Sequence, residues 1–176
     1  MCEVHIIGQI LGASEFQENN LFCKWGLNSG GNWKIIEGLN GGQTQLDDPL
    51  SNEMCYWCHP VDVHYATKGI QGWPKFHFQV WHQDDYGRDQ FVSYGFCHVP
   101  TSSGFHELQC VTWKPVSSFC DRIYEYFLGG GLQLKNPCNI YQGLERYRLQ
   151  TTSKGIIHLH LHVITRNFDK YKIVTN

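Results

Sequence analysis

GIIHLHLHVI, residues 155–164, is the stretch on which the fold turns. Ile157, Leu159, Leu161 and Val163 alternate without a break with His158, His160 and His162. Successive side chains on a strand point to opposite faces, so this period of two predicts an antiparallel strand with one buried and one polar face.

The same texture recurs along the chain. In EVHIIGQIL (3–11) Val4, Ile6 and Ile10 share one face, with His5 and Gln9 on the other. LFCKWGL, WKII, VDVHY, KFHFQVW, FVSYGFCHV and HELQCVTW follow as further short apolar-rich runs. Between them lie GGN, LNGG, DDP, KGIQGWP, DDYG and TSSG, whose glycine, proline and aspartate content is turn chemistry. SSFCDRIYEYFLGGG (117–131) is the one segment that predicts a helix. Ser118 and Asp121 approximate a capping box, Phe119, Ile123 and Phe127 form a stripe, and Gly129 to Gly131 end it. About eight strands and one inserted helix predict an all-β antiparallel sandwich. With no linker, repeat or low-complexity run, residues 1–176 read as a single domain, its core spanning about 2–166 before a short C-terminal tail.

Composition narrows the function classes. Charged residues are 17% and aromatics 14% of the 176 residues, the balance of an ordered globular chain. A formal net charge of −2 supplies no bulk attraction for polyanions, so no nucleic-acid partner is expected. The first residues, MCEVHIIGQILGAS, lack a basic n-region, and no run nears the roughly 18 apolar residues of a membrane span. The chain is therefore expected to stay in the cytosol, with its eight cysteines as reduced thiols.

CYWCH (55–59) matches the attachment pattern of c-type haem and half of a zinc site. A structural zinc needs about four ligands, whereas Cys97, Cys110, Cys120 and Cys138 are isolated and form no second C-x-x-C. Along a strand, Cys55 and Cys58 fall on opposite faces because an odd number separates them, and Pro60 keeps His59 extended. The structural reading is preferred over zinc and over haem, and no metal or cofactor is expected. His158, His160 and His162 raise the same choice between a metal and a histidine-rich surface. The surface is preferred, and it is the candidate edge or face for a partner. No G-x-S-x-G elbow, H-E-x-x-H helix or Walker loop is present, and Gly129 to Gly131 end a helix where a phosphate cradle would open one. An enzyme is not expected. Six tryptophans leave open whether some wait for a partner or all fill the domain's own core.

KFHFQVWHQDDYGRDQFVSYGF (75–96) resembles the strand–loop–strand of C2-like domains, in which loop carboxylates surround calcium. Here His82 and Gln90 stand where that pattern has carboxylates, Asp84 keeps its place beside Asp85, and Asp89 comes one residue early. The resemblance implies a degenerate loop that does not bind calcium at cell levels; an ordinary acidic hairpin is the plainer alternative. HPVDVHYATKGIQGWPKFHFQVW (59–81), YGFCHVP (94–100), EVHIIGQILGAS, LFCKWGLNSGGNWKIIEGLNGGQTQ (21–45), TWKP and RNFDKYKI together resemble the B9 domain family over nearly the whole chain. That pattern includes Tyr56-Trp57 and His59-Pro60 but not the flanking cysteines. The resemblance implies a non-enzymatic structural subunit of the tectonic-like, or Meckel syndrome-associated, complex at the ciliary transition zone. Its implied partners are other B9 proteins and tectonic-like membrane proteins. The alternatives are a calcium-independent module contacting phospholipid surfaces, and a metal or thiol protein built on CYWCH.

Overall fold

The computed structural model of the protein describes residues 1–49, 54–116, 133–134, 140 and 150–168. Nine antiparallel strands occupy them: β1 (Cys2–Ser14), β2 (Leu21–Asn28), β3 (Trp33–Gly38), β4 (Gly41–Gln43), β5 (Cys55–Thr67), β6 (Lys75–Gln83), β7 (Asp89–His98), β8 (Gly104–Pro115) and β9 (Thr151–Arg166). The helix expected over 117–131 lies outside the described residues, as does the tail beyond Phe168.

The strands run in the order β3-β5-β1-β9-β8-β7-β6-β2-β4. β8 follows β9 over most of its length, but its ladder pairing with β7 is confined to Tyr94↔Trp113 among the described residues. At that narrow joint the sheet curls over, and β3-β5-β1-β9-β8 faces β7-β6-β2-β4. Val4, Ile6 and Ile10 of β1, Val61 and Val63 of β5, and Leu159 and Leu161 of β9 form one inner face. Cys23, Trp25, Phe76, Phe78 and Val80 meet them from the other layer. Alternation thus decides which side of each strand leaves water, and burial of that side drives the closure.

β9 is interior, between β1 and β8, so of the edge-or-face expectation the edge is corrected. A period of two reports faces and not neighbours: β9 pairs with Gly104–Pro115 on one side and with β1 on the other. LNGG, read as a turn, contributes β4, because Gly41 to Gln43 pair with Gly26 to Lys24 far away in sequence. All six tryptophans pack within the domain's own clusters. Trp25, Trp33, Trp57 and Trp73 join the sandwich core, and Trp81 and Trp113 join a second cluster with Phe91, Tyr94 and Ile140. Trp25, Trp33, Trp57 and Trp113 are buried, and Trp73 and Trp81 are partly buried against these clusters.

Candidate functional site

The CYWCH segment opens β5 and its residues diverge. Between the pairs Ile10↔His59 and Gly12↔Tyr56, Trp57 and Cys58 stand against the single Leu11, which makes a β-bulge. Cys58 takes the left-handed φ of 45° that such a bulge demands. Its thiol faces solvent while Cys55 is buried. Burial, with the Asp47 and Asp48 carboxylates adding to it, pushes the Cys55 thiol up to about 11. His59 turns its ring to Trp25, centroids 5.8 Å apart, and burial holds it below the ordinary imidazole range. Pro60 is tolerated because β3 pairs only with Val63 to Thr67, leaving β5 without that neighbour at residue 60. Among the described residues no three His, Cys, Asp or Glu side chains converge on a point fit for a metal ion. A thiol reagent at pH 8 is expected to modify Cys58 at least about tenfold faster than Cys55, read by mass spectrometry of the digested protein. Equal rates would contradict the burial of Cys55.

The loop between β6 and β7 is a closed hairpin turn. Asp84 accepts hydrogen bonds from the backbone N–H groups of Tyr86 and Arg88 at 3.0 and 2.8 Å, and from Arg88 Nε at 2.8 Å. These bonds, the Arg88 backbone N–H foremost, hold its carboxyl below the usual carboxylate range. His82 directs Nδ1 to the carbonyl of Asn19 at 2.5 Å and pairs across the hairpin with Gln90. Asp89 accepts from Gln83 Nε2 at 3.2 Å, and Asp85 lies exposed at the turn. Asp84 therefore serves the turn, and its carboxylate already has three donors. Micromolar calcium is expected to give no heat in titration calorimetry on the native chain; a sensor-like affinity would refute this. Since the folded-state pKa of Asp84 is lowered, its stabilisation is present above the unfolded carboxylate range and lost as pH falls through the folded value. Asp84→Asn is accordingly expected to reduce the fall in Tm between pH 5 and pH 3.

The histidine face is the more substantial feature. Ile157, Leu159, Leu161 and Val163 are buried, as the alternation requires, and His158, His160 and His162 lie on the outer face. His158 is held by Ser14 Oγ at 2.7 Å. His160 stands between Gln9 of β1 and Glu107 of β8, and His162 between Ile7 and Phe105. Phe105 meets both rings, 5.7 Å from His160 and 5.3 Å from His162 between centroids. Ile7, Phe105 and Ile164 are large apolar side chains left in water, and with Gln9 and the two imidazoles they border a groove of about 450 Å³. Sequence reading found the histidines and missed this apolar rim. The signal was there: Ile7 falls on the His5 and Gln9 side of its strand, and Ile164 on the histidine side of β9.

Farther along the same face, His5 and His64 pair across β1 and β5 with rings stacked 5.0 Å apart. His5 bonds Asp62 at 2.6 Å, whereas His64 lies 3.6 Å from Glu3. The two imidazoles point to opposite ends of the pair, so their carboxylates do not converge.

Comparison with known proteins adds a family. A family described as "Ciliary basal body-associated, B9 protein" matches residues 4–164. The chain is 56% identical to B9 domain-containing protein 2 of Danio rerio and 53% to that of Homo sapiens, in each case over 98% of this chain and 99% of the relative. It is 28% identical to B9 domain-containing protein 1 of Mus musculus, over 94% of this chain and 82% of the relative. Among solved structures, the C2A domain of a plant extended synaptotagmin 1 aligns over 92% of each chain at 11% identity, with a TM-score of 0.44.

Proposed function

The chain belongs to the B9 family of ciliary basal body-associated proteins, and from that membership we propose that it is a non-enzymatic structural subunit of a B9 hetero-complex at the ciliary transition zone. In this role it joins other B9 proteins and the tectonic-like membrane proteins, supporting ciliogenesis and the diffusion barrier between ciliary and plasma membranes. The observation that carries the reading is the similarity over 98% of the chain to B9 domain-containing protein 2 from vertebrates, at 51–56% identity, and at 39% from Drosophila melanogaster.

Two structural observations support it. The conspicuous outer feature is a broad sheet face carrying His158, His160 and His162 beside exposed apolar side chains, a surface suited to protein contact. In the 84–88 turn the Asp84 carboxylate is spent on three hydrogen bonds of the turn itself, which argues against calcium-driven attachment to a phospholipid surface.

The test is affinity purification of the tagged chain from ciliated cells, together with its localisation. Recovery of other B9 proteins and concentration at the ciliary base are expected. Failure to recover any B9 protein would remove the scaffold reading, and cosedimentation with liposomes in the absence of protein partners would favour the membrane-contact alternative.

A further inference from the structure

We propose that the groove between Ile7, Phe105 and Ile164 is the docking site for an uncharged, apolar segment of a second B9 domain, seated over His160 and His162. This rests on the hetero-complex reading above and names the surface and the chemistry of what covers it.

The charge distribution on the page selects the occupant. No side chain bordering the groove carries a formal charge when its imidazoles are neutral. The cations β9 itself offers are already engaged: Arg166 lies 3.5 Å from Glu3 and Lys154 lies 3.9 Å from Glu18. Among the described residues, the carboxylate directly opposite a groove imidazole is Glu107, across from His160; Asp62, one strand farther out, is bonded to His5. An acidic segment would find Glu107 already in place and no unpaired cation on β9. An apolar one would cover Phe105 and Ile164, each about half exposed at 52% and 50%, and Ile7 at 37%. Side chains of this kind in a charge-free groove are the usual anchors of protein contacts.

A partner that covers two imidazoles with apolar surface disfavours their charged forms. Binding is therefore full where they are neutral and weakens as pH falls through the imidazole range, by up to about tenfold per pH unit for each proton that must leave. His162 has Ile7 and Phe105 directly opposite it, whereas His160 has Glu107. An acidic occupant would show the opposite sign.

The experiment measures binding of the full chain to purified B9 domain-containing protein 1 by biolayer interferometry at pH 7.5 and pH 5.5. The native chain is expected to lose at least about tenfold in affinity at the lower pH. His160→Gln with His162→Gln should flatten that dependence. Phe105→Asp and Ile164→Asp should each weaken binding about thirtyfold at pH 7.5, with unchanged far-UV spectrum and Tm. Tighter binding at pH 5.5, or full binding by both aspartate variants, would overturn the proposal. So would sedimentation showing a dimer of this chain that Phe105→Asp dissolves, since the occupant would then be a second copy. Absence of any binding by the native chain would instead count against the hetero-complex reading on which the proposal rests.

Discussion

Replacing Trp57 by alanine is expected to cost about 3–5 kcal/mol of unfolding free energy and to lower Tm by about 10 °C. Trp57 is 2% exposed and is the largest side chain in the core that is fully buried. Its indole also spans the sandwich: Nε1 on β5 donates to the carbonyl of Leu21 on β2 at 3.1 Å. The Trp57 carbonyl accepts from Gln45 Nε2, and the Tyr56 N–H donates to Asp47 at 2.7 Å. Asp47 in turn bridges to Leu21. Truncation therefore opens a cavity and removes one of the tethers between the layers at this end. Trp57→Phe separates the two effects. It keeps most of the ring volume and gives up the indole hydrogen bond, and should cost about 1–2 kcal/mol. Urea denaturation of both variants is the check, and a loss below about 1 kcal/mol for the alanine would show that Trp57 does not carry the closure. The phenylalanine variant keeps the measurement possible if the alanine chain fails to fold.

The contrast between Trp57 and its flanking cysteines shows what was legible in the sequence. The odd spacing of Cys55 and Cys58 already argued for opposite faces, and one is buried while the other faces solvent. The bulge that places Trp57 and Cys58 against Leu11 was not legible, because it belongs to the pairing with β1 and not to β5 alone. The same limit applies to β9. Its buried face could be read residue by residue, since alternation is local. Its central position could not, because Gly104–Pro115 and Cys2–Ser14, far from it in sequence, supply its neighbours. β4 was lost for a related reason: two glycines in a three-residue strand carry no apolar period, and only Lys24 to Gly26 across from them make it a strand. For the candidate site, the histidines announced themselves by period, whereas the groove needed Phe105 of β8 brought beside His162. The C2-like loop pattern gave the positions of Asp84 and His82 but not their partners, since Asn19 and the Arg88 backbone enter only through the folded hairpin.

Gly8→Ala should be nearly as damaging as the loss of Trp57, at about 3 kcal/mol or more. Gly8 lies in β1 between Leu161 of β9 and Val61 of β5, with paired strands on both sides. A Cβ built there would stand 2.1 Å from the carbonyl oxygen of His160 and 2.9 Å from Leu161 Cα, both backbone atoms that no rotamer change can move. The central pair β1–β9 would have to separate, and hydrogen bonds on both flanks of β1 would lengthen together. Gly31→Ala is the matched control: nothing lies within 4 Å of its Cβ position, so its effect should stay within about 0.5 kcal/mol. Gly8 also lines the groove, next to Ile7 and Gln9 and across from Leu161. The two kinds of substitution should therefore separate in a plot of partner affinity against stability. Gly8→Ala loses both, because it shifts the strand spacing on which the groove depends, whereas Phe105→Asp and Ile164→Asp lose affinity alone. If Gly8→Ala matches Gly31→Ala in urea, the close approach of β1 to β9 is wrong, and the register that sets Ile7 opposite His162 falls with it.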